Sequence, residues 1–245
     1  MKQNTWFTSL LAVALFVVCV LGCNKSESGT GSSSPTPATN NTAASPVAKP
    51  AGDIAGSYSI VGTNQDGSAY KGTLDVIKHG DVYQFRWNAG KPYDGIGVQN
   101  GNAVAASFTG GSDGKGCGVV SYQILGDGGL DGVWGYWGQD DSGTEKAVRT
   151  SGSGLAGEYD GTGQNPNGSP YKVKLTITEK GSGYSFAWSN SSSGFGVKRG
   201  SSVSVGIGGE RCAFVAYEIK PDGTLDGVWG GYGSDKTGTE KATKK

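Results

Sequence analysis

The segment Leu130-Asp131-Gly132-Val133-Trp134-Gly135 recurs residue for residue as Leu225-Asp226-Gly227-Val228-Trp229-Gly230, and Gly143-Thr144-Glu145-Lys146-Ala147 recurs as Gly238-Thr239-Glu240-Lys241-Ala242. The match reaches further back: Gly56, Tyr58, Asn64, Gly67, Ser68, Tyr70, Leu74, Gly80, Tyr83, Phe85 and Trp87 face Gly157, Tyr159, Asn165, Gly168, Ser169, Tyr171, Leu175, Gly181, Tyr184, Phe186 and Trp188. A duplicated chain poses its burial problem twice, which limits the folds open to it before any other feature does. Setting aside a leader and a tether leaves two copies of roughly 90 residues, each enough for one small hydrophobic core. The expected organisation is a leader over 1–22, a tether over 23–52, one module over 53–150 and a second over 154–245.

Within the second copy, Tyr171 to Thr178 alternates apolar and polar residues, and Tyr184-Ser185-Phe186-Ala187-Trp188-Ser189 resumes the alternation after a Gly-Ser-Gly break. A period of two marks strands with one buried face. The first copy shows the same pattern through Leu74, Val76, Tyr83, Phe85 and Trp87, with further strand candidates at Gly56 to Gly62, Ile96 to Val98, Val104 to Phe108, Val119 to Leu125, Leu130 to Trp137 and Thr144 to Val148. The separators are Asn-, Asp- and Gly-rich, as hairpin turns with positive φ require. Eight short strands in series close most economically into a barrel, which leaves no free edge. The reading is therefore all-β, two tandem eight-stranded antiparallel meander barrels, with small β-sandwiches as the alternative. Equal numbers of acidic and basic residues, without basic clusters, give the chain no electrostatic reason to bind nucleic acid.

At the amino terminus, Lys2 precedes an apolar run from Trp6 to Leu21, too short for a comfortable bilayer span and suited to a secretion signal. Its ending, Val20-Leu21-Gly22-Cys23, resembles the lipobox of bacterial lipoproteins. That resemblance implies a lipid on Cys23, and Asn24 in place of Asp implies release to the outer membrane. Residues 25–52 are Ser, Thr, Pro, Ala, Asn and Gly with almost no large apolar side chain, the composition of a disordered tether. The expected address is the bacterial envelope, lipid-anchored, facing the periplasm or the surface.

The tryptophans Trp87, Trp134, Trp188 and Trp229 share the parity of the apolar strand faces, which places them in the barrel interior, either packing the core or lining a mouth. Trp137 and its partner Tyr232 fall out of phase and are the candidates to face a binding partner. Glu145 and Glu240 could polarise a ligand, but the simpler expectation is a surface or strand-end charge. Cys117 and Cys212, one per copy, lie off the Tyr122 and Tyr217 face and so are expected to point outward. An oxidising envelope permits a bridge between the modules, and two free thiols are the other reading. Asn64 to Ser68 looks superficially like a calcium loop but reads as a turn. His79 is the lone histidine and has no counterpart in the second copy, so no catalytic residues, metal or cofactor are expected.

With Gly62 to Tyr70, Tyr83-x-Phe85-x-Trp87, Gly132-x-Trp134 and Gly143-Thr144-Glu145 in view, each copy resembles a family of small secreted bacterial β-meander proteins whose members are often labelled fibronectin-binding or of unknown function. Copy two departs at Asn167, in place of Asp66, and at Gly161 and Gly163 in its first strand. The resemblance implies a non-catalytic binding or adhesion role towards an extracellular protein. The alternative is capture of a small hydrophobic or aromatic ligand inside each barrel, in the manner of lipocalins or avidins.

Overall fold

A computed structural model describes residues 52–110 and 114–245. The signal segment, Cys23 and almost all of the tether lie outside the described residues. Sixteen strands follow in chain order: β1 (Gly56–Thr63), β2 (Ala69–His79), β3 (Val82–Asn88), β4 (Pro92–Asn100), β5 (Ala103–Phe108), β6 (Gly118–Ile124), β7 (Leu130–Tyr136), β8 (Gly143–Ser153), β9 (Ala156–Gln164), β10 (Pro170–Lys180), β11 (Gly183–Trp188), β12 (Ser193–Arg199), β13 (Ser202–Ile207), β14 (Ala213–Ile219), β15 (Leu225–Gly230) and β16 (Gly238–Lys244). Among the described residues no helix is long and apolar enough to cross a membrane.

The strands form two closed, eight-stranded, antiparallel barrels. Their boundaries do not follow the repeats. β6 through β13 close on themselves, β13 pairing with β6, so the second barrel is an uninterrupted up-and-down meander spanning the end of one repeat and the start of the next. The first barrel takes β1 to β5 from the first repeat and β14 to β16 from the second, joined where β5 pairs with β14 and β16 with β1. The expectation that 53–150 and 154–245 would each fold as one barrel is thus corrected. The similar repeats present interchangeable edges, so β5 can pair with β14 where β6 would have stood, and alternation within a strand carries no information about which copy supplies its neighbour.

Each interior is packed by residues of one strand parity, Tyr58, Leu74, Phe85, Tyr217 and Leu225 in the first barrel and Tyr159, Leu175, Phe186, Tyr122 and Leu130 in the second. Before β1 and before β9 a buried residue, Ile54 or Leu155, joins that core. Its carbonyl accepts a hydrogen bond from the tyrosine four residues on, Tyr58 Oη at 2.6 Å or Tyr159 Oη at 2.8 Å. These contacts fill the end where β1 and β9 begin.

Along one side of each barrel the outward-facing residues meet the other barrel. Val82, Ile96, Val98 and Ala105 of the first barrel bury against Val119 of the second, and Phe195 and Val197 of the second bury against Phe214 and Ala216 of the first. The chain crosses between barrels twice, once from β5 to β6 and once from β13 to β14, the latter crossing carrying a single 3-10 turn at Gly209–Arg211. A Cys117–Cys212 disulfide ties the two crossings together. Both cysteines lie outside their barrels, as parity expects, and both are buried. Parity counted from Tyr122 placed them outside a barrel correctly, but that outside is occupied by its neighbour.

Candidate functional site: a carboxylate in each barrel

Register creates an unusual row across five strands of the first barrel. Tyr217 on β14 stands opposite Gly227, Gly227 opposite Glu240, Glu240 opposite Gly62, and Gly62 opposite Tyr70 on β2. The second barrel repeats it as Tyr122, Gly132, Glu145, Gly163 and Tyr171. The glycines are required here, because a Cβ on Gly62 or Gly163 would sit 2.6 or 2.5 Å from the Cζ of Tyr70 or Tyr171. The ring lies over the bare backbone and carries its hydroxyl to the glutamate. Gly163 is therefore the counterpart of Gly62 and not a departure of the second copy, whereas Gly161 replaces Ile60.

Both glutamates are buried, Glu145 at 4% and Glu240 at 5% exposure, which overturns the expectation of a surface charge. Glu240 Oε1 accepts hydrogen bonds from Tyr217 Oη and from Trp87 Nε1 at 3.0 Å, and Oε2 accepts one from Tyr70 Oη at 2.8 Å. Glu145 is held identically by Tyr122 Oη at 2.5 Å, Trp188 Nε1 at 3.1 Å and Tyr171 Oη at 2.9 Å. Charge-assisted bonds of this kind offset part of the cost of removing a carboxylate from water. Burial pushes Glu240 above the ordinary glutamate value, and the bonds from Tyr217, Tyr70 and Trp87 pull it part of the way back. The four tyrosines are all shifted upward, chiefly by burial and then by the neighbouring carboxylate, so they stay protonated and donating.

Each constellation is composite. Glu240 and Tyr217 come from the second repeat and Tyr70 and Trp87 from the first, while Glu145 and Tyr122 come from the first and Tyr171 and Trp188 from the second.

Above each carboxylate the barrel opens into a cavity, at the end where β1 and β9 finish. The first, about 180 Å³, is lined by Tyr70, Trp87, Tyr93, Phe108, Trp229 and Glu240, among others. The second, about 290 Å³, is lined by Tyr171, Trp188, Trp134, Tyr136, Glu145 and several polar residues, including Asn190 and Ser192. All four interior tryptophans therefore lie on cavity walls, Trp87 and Trp188 buried, Trp134 and Trp229 partly so. Trp134 Nε1 donates to Tyr171 Oη at 3.0 Å, whereas the corresponding nitrogen of Trp229 is buried without a partner.

Trp137 and Tyr232 are partly exposed rings that also pack into the seam between the barrels. Each is partly buried against one of the inter-barrel clusters, Trp137 beside Val82, Ile96 and Val98, and Tyr232 against Phe195 at 5.7 Å between ring centroids, with Lys180 Nζ over its ring at 4.5 Å from the centroid. Their odd parity reported an inter-barrel seam. The turn at Asn64 to Ser68 is an Asx turn, Asp66 Oδ1 accepting from Ser68 N at 2.9 Å, and Asn167 does the same for Ser169 at 3.0 Å. Among the described residues no group of three or more His, Cys, Asp or Glu could hold a metal ion.

Sequence reasoning missed Tyr70, Tyr122, Tyr171 and Tyr217 as members of the site. For the glutamates a readable signal existed: Glu145 alternates in phase with Gly143 and Ala147, while Thr144 and Lys146 occupy the exposed phase. No family model, no curated protein and no solved structure matches the chain.

Proposed function

We propose that the two barrels are non-catalytic binding modules, each admitting one small ligand into its mouth cavity, on a lipoprotein tethered through Cys23 to the bacterial envelope. One observation carries the reading: the same Glu, Tyr, Tyr and Trp constellation lies beneath a cavity in both barrels, although its strands are drawn from different repeats in each. A buried charge is costly, and a pair of equal charges at equivalent sites is hard to ascribe to packing when apolar residues of similar volume would fill the space at least as well. An aromatic, largely apolar cleft with a few converging polar groups is the usual form of a small-molecule site. Three of the four acceptor positions on each carboxylate are already committed to protein donors, which suits orienting a ligand better than moving a proton.

A second reading, attachment to an extracellular protein, is supported by a surface groove of about 200 Å³ beside Trp137, lined also by His79, Gln84, Ile96 and Asp140. Small neutral and charged fragments titrated against the full chain, followed by tryptophan fluorescence and ligand-observed NMR, test the two. The cavity reading expects saturable binding that weakens in Trp87→Phe or Trp188→Phe and is unaffected by Trp137→Ala. No fragment binding at all, together with attachment to immobilised fibronectin that is lost in Trp137→Ala, would overturn it.

A further inference from the structure

We propose that the first barrel's cavity is a receptor site for a small quaternary ammonium cation, held between its aromatic walls and the Glu240 carboxylate. This rests on reading the cavities as ligand sites and narrows it to one chemistry. Five of the lining residues, Tyr70, Trp87, Tyr93, Phe108 and Trp229, are aromatic, and Glu240 is the one charged residue among them. A cation is drawn to the faces of such rings, more strongly when the site is desolvated. The rings do not form parallel plates: Trp87 meets Phe108 at 50°, Tyr93 meets Phe108 at 73° and Tyr70 meets Trp229 at 71°. Walls at these angles make a box around a compact, round group, whereas a flat ring or a sugar face is served by a slot.

Hydrogen-bonding capacity selects among cations. With Tyr217, Trp87 and Tyr70 already bonded to it, the carboxylate keeps about one of its roughly four acceptor positions. A primary ammonium or a guanidinium would bring several N–H donors to a carboxylate with about one acceptor position left, at a cost for each donor left unpaired. A quaternary ammonium brings none and needs only the charge and the ring faces. The cavity, about 180 Å³, is smaller than the roughly 300–1,000 Å³ of sites for drug-sized ligands and suits a head group.

The second cavity shares the carboxylate and is also walled by aromatic rings, Trp134 meeting Tyr136 at 78° and Tyr171 at 67°, but two of the first cavity's rings are missing from it and its charge differs. Register places Ser192 where the first barrel has Tyr93 and Ile207 where it has Phe108, and Lys172 adds a positive charge to the lining. The cation is therefore assigned to the first barrel alone.

Calorimetry and indole N–H NMR on the full chain test this with tetramethylammonium, choline and 3,3-dimethylbutan-1-ol, which has choline's shape without its charge. Expected are one-to-one binding of both cations, at least tenfold weaker binding of the neutral alcohol, and shifts of the Trp87 and Trp229 indole signals but not those of Trp134 and Trp188. Glu240→Gln, and separately the double variant Tyr93→Ser with Phe108→Ile, should each weaken choline at least tenfold while a folded spectrum is kept. Equal binding of the alcohol and choline would overturn the cation assignment and leave the cavity reading standing. Shifts confined to Trp134 and Trp188, or no saturable binding of either cation, would overturn it as well. In the last case the fragment titration above decides the cavity reading on its own.

Discussion

The two barrels share their floor and differ in their walls and in how the chain builds them. Both hold a buried glutamate on a Tyr-Gly-Glu-Gly-Tyr row. The second barrel is one continuous stretch of chain with the larger cavity, and the first is assembled from two separate stretches around a smaller one whose lining carries fewer polar residues. The difference teaches that duplication preserved the part of the site set by register, which an exchange of equivalent strands leaves intact. The walls, formed by residues near the turns, were free to diverge. A protein with two equal floors and two unequal mouths is equipped to hold two ligands of different chemistry.

The sharpest way to break the comparison is to cut the chain. Residues 114–208 contain every strand of the second barrel and should fold alone as a cooperatively melting monomer. Residues 56–149 contain five strands of one barrel and three of the other, leaving β1, β5, β6 and β8 each without one of the two partners it has here, and unpaired edges seek other chains. Light scattering and thermal melts should report an aggregated, dimeric or unfolded species for that fragment. A compact, cooperatively melting monomer would show that the crossing after β5 can fold back and that the exchange is not imposed by the sequence.

Next in size are the buried rings. Trp87→Ala and Trp188→Ala should each cost about 3–5 kcal/mol in denaturant melts, since each removes a large side chain from a core and a donor from a buried carboxylate. A loss under about 1 kcal/mol in either barrel would mean that its cavity already extends to that ring. Reducing the Cys117–Cys212 bridge should cost about 2–4 kcal/mol, because it closes a loop with a sequence separation of 95. Melts with and without reductant measure this, and circular dichroism should show both barrels still closed.

The smallest expected effect is a pH dependence from Glu240 in the first barrel. Burial raises the folded-state value of Glu240 above the ordinary 4.5, so the folded chain binds that proton more tightly than the unfolded chain does. Stability from this group is then fully present below 4.5 and is lost as pH rises through the higher folded value. Melting the native chain and Glu240→Gln across that window should show the native protein losing ground to the variant as pH rises. Parallel curves would indicate a carboxylate that titrates normally despite its burial.

By itself the sequence determined the local structure. Alternation in Tyr171 to Thr178 and Tyr184 to Ser189 could only be half-buried strands, and the Asn- and Gly-rich separators between them could only be tight turns, so the class of fold and the number of strands were legible. The inward tryptophans followed from the same parity. What parity could not say is what stands on the other side of a strand. Tyr232, Trp137, Cys117 and Cys212 face out of one barrel and into the seam with the other, which is invisible without knowing that the barrels abut. Nor could it choose between β6 and β14 as the neighbour of β5, since duplicated strands offer the same edge. The glutamate floor lay between these limits: its in-phase position on β8 and β16 was written in the chain. In the second barrel five consecutive strands carry Tyr122 and Tyr171 across the glycines to Glu145, whereas in the first Tyr70 meets Glu240 only because β16 pairs with β1 of the other repeat, a pairing that the tertiary structure alone decides.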